Sequence, residues 1–321
     1  MDGKTVLITG GTGSFGKKFT KYLLENASPK KIIIFSRDEL KQHEMRIGGY
    51  DDDRLRYFIG DVRDLDRLKR AMNGVDMVVH AAALKQVPAC EYNPIEAIAT
   101  NIEGAKNVID AAIDNGVEKV MALSTDKAVN PINLYGATKL VAEKLFVQAN
   151  SYSGGSGTRF SCVRYGNVVG SRGSVVPIFK DQSKTGCLTI TDERMTRFWL
   201  TLGQGIKFVM DSIETMHGGE VFVPKISSMN VVDLAKAIAP NCDFRVVGIR
   251  PGEKMHETLI SVDEAHHTME YSDKFVIKPL HPWWNMKNWT GGDPLPDGFN
   301  YSSDTNKEWL STEDLIKIIG R

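Results

Sequence analysis

Short runs of apolar residues recur along the first half of the chain and alternate with stretches of helical periodicity. Six of these runs predict strands: Thr5–Thr9, Lys31–Phe35, Arg56–Ile59, Asp76–His80, Lys119–Leu123 and Phe160–Arg164. The runs are continuously apolar, which is typical of strands buried on both faces. Because helical stretches separate them, the pattern predicts βαβ units, and therefore an α/β fold with a doubly wound parallel sheet.

The pattern becomes less regular after about residue 170. Helices are predicted at 201–214 and 230–239, and strands at 219–224 and 244–249. Ser311–Asp314 resembles a capping box that opens a last helix over Leu315–Ile319. We therefore predict a regular first domain over residues 1–170 and a smaller α/β domain over 171–321, with the chain crossing back to the first.

Composition excludes several classes of protein. The 321 residues include 40 Lys+Arg and 40 Asp+Glu, so nothing in the charge favours general binding to nucleic acid or to a membrane surface. No apolar run approaches the roughly 20 residues of a membrane span. The four cysteines form no CxxC pair and His266-His267 lacks HExxH spacing, so we predict neither a disulfide framework nor a metal site. These features are typical of a soluble cytoplasmic protein.

A glycine-rich turn follows the first predicted strand. Its predicted cofactor contacts are Gly10, Thr12, Gly13, Ser14, Phe15 and Gly16, with the glycines in GxxGxxG spacing. Such a turn lets the backbone approach a pyrophosphate, and the following helix offers free N–H groups. The turn predicts that the first domain is a Rossmann-type dinucleotide-binding domain. The alternative is a glycine-rich turn without a ligand.

The residues at the end of the second predicted strand indicate whether NAD or NADP binds. Ser36 and Arg37 stand there, and a hydroxyl with a guanidinium suits the 2′-phosphate of NADP. Asp38 follows and keeps NAD open, but we predict NADP. Asp61, after the third strand, is predicted near the adenine, with a helix cap as the alternative. Further cofactor contacts are predicted at the ends of strands, from Val62, Ala81 and Ala82.

Tyr135 and Lys139 are four residues apart, which places them on one face of a helix. A lysine cation beside a phenol favours the phenolate, and so does a nicotinamide cation, so we expect the pKa of Tyr135 to fall toward the working pH. Ser124 and Thr125 lie just past a predicted strand end, where ligand crevices form in such sheets. Together these residues resemble the catalytic triad of the extended short-chain dehydrogenases/reductases, which mostly act on nucleotide sugars.

Longer motifs sharpen this resemblance. The chain resembles the UDP-N-acetylglucosamine 4,6-dehydratase family, and in particular its inverting members, over nearly its whole length. The motifs that carry the resemblance are residues 124–128, 130–133, 164–173, 195–199, 250–254 and 301–309. A related capsule-pathway group carries Met at the tyrosine position, so Tyr135 argues against membership in that group. The resemblance implies UDP-N-acetylglucosamine as substrate, NADP regenerated in each cycle, and a first step of pseudaminic acid biosynthesis. It also implies a homo-oligomer, a hexamer or a dimer.

The resemblance further implies roles for the candidate catalytic residues. Tyr135 would take the 4-hydroxyl proton while hydride leaves C4, assisted by Thr125 or Ser124. Lys139 would hold the cofactor ribose. Lys127 would take the C5 proton, provided its pKa is lowered, and Asp126 would protonate the departing 6-hydroxyl if its pKa is raised. Retaining relatives carry Asp-Glu at this pair, so Lys127 favours inversion at C5.

Substrate contacts rest on the same resemblance. The candidate residues are Lys85, which also counts as a cofactor contact, Asn167, Arg172, Arg197, Arg250 and Glu253, with Arg194 as a further possibility. A bidentate guanidinium suits a diphosphate, and for each single arginine a surface ion pair is an equal alternative.

Two other functions stay open at this point. A nucleotide-sugar 4-epimerase would need Tyr135 and Lys139, but Asp126 and Lys127 would have no role in its reaction. A non-catalytic NADP-binding protein on the same fold would need none of the four.

Overall fold

The computed structural model describes residues 1–169, 174–280 and 288–320. The strands, in chain order, are β1 Thr5–Thr9, β2 Lys31–Ser36, β3 Leu55–Ile59, β4 Met77–His80, β5 Lys119–Leu123, β6 Arg159–Val163, β7 Asn167–Val168, β8 Cys187–Ile190, β9 Thr196–Leu200, β10 Val221–Pro224, β11 Ser228–Asn230, β12 Asp243–Val246, β13 Thr258–Ile260, β14 Thr268–Glu270, β15 Lys274–Ile277, β16 Asp293–Pro294 and β17 Tyr301–Ser302.

The α-helices are α1 Ser14–Asn26, α2 Glu39–Ile47, α3 Leu65–Ala71, α4 Val87–Tyr92, α5 Pro94–Ile98, α6 Gly104–Asp114, α7 Leu134–Ala149, α8 Val175–Gln182, α9 Leu202–Thr215, α10 Val231–Ile238, α11 Val262–Ala265 and α12 Thr312–Ile319. A 3-10 turn at Asp126–Ala128 follows β5, and a π-helical turn at Ala99–Glu103 joins α5 to α6.

One large sheet organises the molecule. Its strand order is β16-β14-β15-β10-β6-β5-β4-β1-β2-β3, and every pairing from β10 to β3 is parallel. The predicted α/β class and all six predicted strands are confirmed. The strand order reverses between β1 and β4, and in such sheets a crevice forms at this switch point beyond the carboxyl ends of the strands.

Smaller sheets and a second apolar core build the rest of the molecule. Strands β7, β9 and β11 form one small sheet, and β8 pairs with β12. The second core includes Leu188, Trp199, Leu234 and Leu315. The predicted capping box is confirmed, since Ser311 and Asp314 bond reciprocally at the start of α12. Within the described ranges, no helix has both the length and the apolar character needed to span a membrane.

Candidate active site

A cleft of about 900 Å³ lies beyond the carboxyl ends of the parallel strands, between the large sheet and the smaller sheets. The glycine turn after β1 forms one end of the cleft. The segment before β13, together with residues of β9, forms the opposite wall. All of the predicted cofactor residues line it: Gly10, Thr12, Gly13, Ser14, Phe15, Gly16, Ser36, Arg37, Asp61, Val62, Ala81, Ala82, Lys85, Tyr135 and Lys139.

The glycine turn packs against the neighbouring backbone so closely that its glycines have no room for side chains. Gly10 has φ +65°, and a Cβ there would lie 2.9 Å from the backbone nitrogen of Ala82. A Cβ on Gly16 would collide with the carbonyl group of Gly11, so α1 could not begin so close to the turn. The N-terminus of α1 therefore stands at the cleft with its N–H groups available, which fits a dinucleotide pyrophosphate.

The end of β2 carries the groups that would distinguish the two dinucleotides. The Ser36 hydroxyl lies 2.9 Å from that of Thr12. The guanidinium of Arg37 is 54% exposed and lies 3.6 Å from the carboxylate of Asp61. Asp38 caps α2 by accepting a hydrogen bond from the backbone N–H of Lys41. Its carboxylate is thus committed to the helix, while Arg37 and Ser36 line the cleft.

Asp61 is an ion-pair partner of Arg63 and does not cap a helix. Its carboxylate accepts hydrogen bonds from the backbone and the guanidinium of Arg63. Burial raises the pKa of Asp61, but the bonds with Arg63 outweigh it, so the pKa is lowered. The residue that caps α3 is Asp64, not Asp61.

Tyr135 and Lys139 lie one turn apart near the start of α7, as their spacing predicts. Asn133 caps this helix through the backbone N–H of Gly136. Lys139 donates a hydrogen bond of 2.6 Å to the carbonyl group of Leu123, at the end of β5. Both side chains are buried and line the cleft.

The predicted fall in the pKa of Tyr135 is wrong. Burial raises the pKa to about 12 and outweighs the charge of Lys127 and a hydrogen bond with Thr125, which both act to lower it. The cation that faces the phenol is thus Lys127 from the 3-10 turn, whereas Lys139 is engaged with the Leu123 carbonyl. Of the two hydroxyl groups after β5, Thr125 is the one beside Tyr135.

Lys127 stands between two buried carboxyl groups. Its Nζ lies 3.0 Å from Asp126 Oδ1 and 3.2 Å from Glu257 Oε1. Asp126 Oδ1 also accepts a hydrogen bond of 2.9 Å from the Thr125 hydroxyl. Glu257 comes from the opposite wall of the cleft, just before β13. The ion pair therefore joins the two sides of the site, and the charge of Lys127 acts on Tyr135.

The lowered pKa that was the condition for Lys127 as a base is not found. Burial acts to lower this pKa, but the carboxylates of Asp126 and Glu257 together raise it above the ordinary value. For Glu257, burial and the charge of Asp126 outweigh Lys127 and Arg197, and its pKa is raised. The carboxyl group that overturns the expectation lies 130 positions away in the sequence, out of reach of any local pattern.

The predicted substrate residues lie mostly on the second wall. Lys85, Asn167, Arg197, Arg250 and Glu253 line the cleft. Arg172 lies outside the described residues. Arg194 instead forms a surface ion pair with Asp192, and its side chain is 76% exposed.

Arg197 has clear structural partners, and Lys85 lies near another cation. Arg197 is buried, and its guanidinium donates hydrogen bonds to three backbone carbonyl groups while lying 3.6 Å from Glu253. Burial and the charge of Lys127 lower the pKa of Lys85. Lys85 is therefore a second cation close enough to Lys127 to feel its charge.

The loop at residues 250–254 is tied to the first wall. Asn133 donates a hydrogen bond of 2.8 Å to the carbonyl group of Gly252, and Lys254 donates one of 2.5 Å to that of Val129. Gly252 has φ +76°, which permits the turn between Arg250 and Glu253. The loop is thus fixed against the cap of α7, and the catalytic helix and the predicted diphosphate residues share one support.

Sequence reasoning missed several residues of the site. Glu257 follows the Arg250–Lys254 motif by three positions, and no local signal distinguishes it from a surface acid. Thr100, Ser174 and Trp199 also line the cleft with buried polar atoms that have no hydrogen-bond partner among the described residues. Trp199 lies two positions after Arg197 on β9, so strand alternation could have placed it on the same face.

The fold and the site are typical of the extended short-chain dehydrogenases/reductases. A family model described as "Polysaccharide biosynthesis protein" matches residues 6–279, and the chain belongs to this family. It is 57% identical over 328 residues to "UDP-N-acetylglucosamine 4,6-dehydratase (inverting)" of Campylobacter jejuni subsp. jejuni serotype O:23/36 (strain 81-176), with 99% of this chain and 98% of that protein covered. The predicted resemblance is confirmed.

Two further similarities extend the comparison. "UDP-glucose 4-epimerase" of Rickettsia conorii is 47% identical over 283 residues, which cover 85% of this chain and 82% of that protein. The X-ray structure of Pen from Bacillus thuringiensis superposes with a TM-score of 0.89 at 39% identity, covering 99% of this chain and 98% of the other.

Proposed function

We propose that this protein is an NADP-dependent UDP-N-acetylglucosamine 4,6-dehydratase that inverts C5. Its product would be UDP-2-acetamido-2,6-dideoxy-β-L-arabino-hexos-4-ulose. One observation carries the proposal: Tyr135 shares its cleft with Lys127, which is ion-paired with Asp126 and Glu257. Oxidation at C4 requires only the tyrosine and its partners, whereas elimination of water across C5 and C6 requires an additional base and an additional acid. The name of the Campylobacter relative supports the same reaction.

Each step of this reaction would be carried out by a particular residue of the chain. Tyr135, as phenolate, takes the proton of the sugar 4-hydroxyl, and Thr125 donates a hydrogen bond to the same oxygen. When bound, the nicotinamide dinucleotide supplies a reversible hydride acceptor, so oxidation and the later reduction need no outside redox partner. Lys139 holds the cofactor ribose beside Tyr135. Once C4 is a ketone the C5 proton becomes acidic, and Lys127 takes it.

Protonation of the departing 6-hydroxyl needs a carboxyl group next to Lys127. The resemblance implies this role for Asp126, which lies 3.0 Å from Lys127, and Glu257 is a second carboxyl group at 3.2 Å. Arg250, Glu253, Arg197, Asn167 and Lys85 would bind the nucleotide sugar from the second wall. The resemblance adds three proposals: a step of pseudaminic acid biosynthesis, a hexamer or dimer, and a cytoplasmic location. Analytical ultracentrifugation of the purified protein tests the oligomeric state.

The first experiment incubates the protein with UDP-N-acetylglucosamine in heavy water without added reductant. Mass spectrometry should find a product lighter by one water and carrying deuterium at C5. Proton NMR coupling constants on the same sample should show the inverted configuration at C5. A product of unchanged mass with an inverted C4 would identify an epimerase instead. No conversion at all would overturn the substrate assignment.

An epimerase is the second candidate because the Rickettsia relative carries that name. Such an enzyme oxidises and reduces the same carbon and has no use for a base at C5. Lys127→Gln separates the two functions: a dehydratase should still oxidise C4 but form no product, whereas an epimerase should form product in proportion to its C4 oxidation. The rate of C4 oxidation by this variant is measured alongside, because the charge of Lys127 also acts to lower the pKa of Tyr135.

The preference for NADP rests on the end of β2. Arg37 and Ser36 line the cleft, while Asp38 is committed to the cap of α2. Arg37→Ala should weaken NADP binding roughly 10- to 150-fold, since a hydrogen bond to a charged group contributes about 1.5–3 kcal/mol. NAD affinity should hardly change. Calorimetric titration of both dinucleotides tests this, and an equal loss for both would count against NADP.

A further inference from the structure

Asn133 uses both ends of its side-chain amide, and the two ends hold different parts of the cleft. The amide oxygen accepts a hydrogen bond of 2.7 Å from the backbone N–H of Gly136, which caps α7. The amide nitrogen donates one of 2.8 Å to the carbonyl group of Gly252, 119 positions away in the sequence. Asn133 is buried and lines the cleft. One side chain therefore bonds both to the catalytic helix and to the loop that carries Arg250 and Glu253.

The loop at residues 250–254 approaches Asn133 closely. A Cβ on Gly252 would lie 3.0 Å from the Cβ of Asn133 and 3.3 Å from Cγ1 of Val87. Gly252 also has φ +76°, a backbone conformation that side chains disfavour, so glycine is the residue that allows this approach. Because Gly252 stands between Arg250 and Glu253, a shift at this contact moves both of the predicted substrate residues.

Two other hydrogen bonds hold the same loop, and both lie farther from Tyr135 in the sequence. The guanidinium of Arg197, on the second wall, donates to the carbonyl group of Lys254. Lys254 itself donates a hydrogen bond of 2.5 Å to the carbonyl group of Val129, in the segment before α7. Asn133 precedes Tyr135 by only two positions and caps the helix that carries it. Its bond is therefore the direct link between the loop and the start of the catalytic helix.

We propose that Asn133 is a positioning residue that fixes the diphosphate of a nucleotide sugar at the right distance from Tyr135. This inference rests on the proposed function, because it takes Arg250 and Glu253 as contacts of the nucleotide sugar. A sugar held by its diphosphate offers its 4-hydroxyl to the phenol only when the loop and the helix keep a fixed separation. Asn133 maintains that separation through its two hydrogen bonds and does not act on the reacting atoms.

Asn133→Ser separates the two contacts of this side chain. Serine caps helices as well as asparagine does, so α7 should begin as before, but serine lacks the amide group that donates to Gly252. Affinity for uridine diphosphate should fall about 2- to 13-fold, the range that one hydrogen bond contributes. Affinity for NADP should hardly change. Calorimetric titration measures both, and the stoichiometry of NADP binding counts the folded protein in the same sample.

The rate of C4 oxidation distinguishes positioning from simple binding. If Asn133 only strengthened binding, Asn133→Ser would raise KM for UDP-N-acetylglucosamine and leave the rate at saturating substrate unchanged. Because we expect the sugar to be displaced from Tyr135, that rate should also fall, by up to about 10²-fold. Stopped-flow absorbance of the reduced nicotinamide at saturating substrate gives this rate.

A double-mutant cycle shows whether Asn133 acts through the loop. Arg250→Ala removes a predicted diphosphate contact, and in that background Asn133→Ser should cost little further affinity for uridine diphosphate. Ser311→Ala is the control for a lost cap, since Ser311 caps α12 and no residue of that helix is among the described residues that line the cleft. It should lower thermal stability and leave both the affinity for uridine diphosphate and the rate of C4 oxidation unchanged.

Unchanged affinity of Asn133→Ser for uridine diphosphate would overturn the proposal, and so would a higher KM with an unaltered rate of C4 oxidation at saturation. Fully additive losses in the cycle with Arg250→Ala would do the same. A wild-type protein that binds NADP but neither uridine diphosphate nor UDP-N-acetylglucosamine would instead overturn the proposed function itself.

Discussion

At the scale of single residues, the site combines groups whose ordinary pKa values suit none of the steps proposed for them. Burial holds Tyr135 as a phenol, and two carboxylates hold Lys127 as an ammonium. Each of these effects is favourable in the resting protein and has to be reversed in the reaction. For the tyrosine, the charge of Lys127 and the hydrogen bond with Thr125 act in that direction.

Tyr135→Phe removes the group that takes the 4-hydroxyl proton. We expect kcat to fall about 10²- to 10⁴-fold, the range that general base catalysis contributes. Because burial raises the pKa of Tyr135 to about 12, the wild-type rate of C4 oxidation should increase with pH on the alkaline side of neutrality. Stopped-flow absorbance of the reduced nicotinamide measures the rate of the variant and the pH dependence of the wild-type rate. A variant with wild-type rates would exclude Tyr135 as the base.

His80 is a single residue whose burial predicts how stability depends on pH. It is buried, lies 2.8 Å from the Thr9 hydroxyl, and has its pKa lowered to about 3 by burial and by the charge of Lys139. The unfolded chain binds a proton at His80 below about pH 6.5 and the folded protein does not, so stability is lost as pH falls.

Between pH 7 and pH 5 this histidine should cost about 2 kcal/mol of unfolding free energy. His80→Gln removes the titrating ring, so its stability should decline less over the same interval. Urea unfolding of both proteins at the two pH values gives the difference. Equal declines would show that His80 is protonated in the folded state.

At the scale of elements, the contact between the glycine turn and α1 determines how closely a pyrophosphate can approach. Gly16→Ala places a methyl group against the Gly11 carbonyl, and α1 has to move away. We expect a stability loss of roughly 1–3 kcal/mol. Dinucleotide affinity should fall about tenfold or more, equivalent to about 1.4 kcal/mol.

Thermal unfolding and calorimetric titration measure the two effects of Gly16→Ala. Gly155→Ala is the matched control, because no atom lies within 4 Å of the added carbon and its backbone is not in the left-handed region. If Gly16→Ala binds the dinucleotide as tightly as the wild type, the turn is not the pyrophosphate site.

Sequence patterns predicted those elements that depend on local signals. The continuous apolar runs predicted the strands of the parallel sheet, and the four-residue spacing of Tyr135 and Lys139 predicted a shared helix face. Electrostatics at the site could not be predicted in the same way. The pKa directions of Tyr135 and Lys127 depend on burial and on Glu257, which only the folded chain brings near them.

At the scale of the whole molecule, one buried ion cluster joins distant parts of the chain. Arg164, fully buried after β6, donates hydrogen bonds to Glu143 on α7 and to Glu264 on α11. Removing one member of such a cluster leaves the others buried without a partner, and this typically costs 3–5 kcal/mol.

Arg164→Met should therefore lower the unfolding free energy by about 3–5 kcal/mol, as measured by denaturant titration. The double variant Arg164→Met/Glu143→Gln should recover part of that loss, because it also removes a stranded carboxylate. A loss below about 1 kcal/mol for the single variant would show that water solvates the cluster.

The order of strands in the large sheet has a consequence for synthesis on the ribosome. Strand β6 pairs with β10, which follows it in sequence by nearly 60 residues, and β10 in turn pairs with β15. A nascent chain that ends before β10 would leave one side of β6 open, with its backbone N–H and C=O groups unpaired. Such an open edge is a template for aggregation until the later strands emerge. Nascent chains released before β10 should therefore need a chaperone to remain monomeric, whereas the completed chain covers this edge itself.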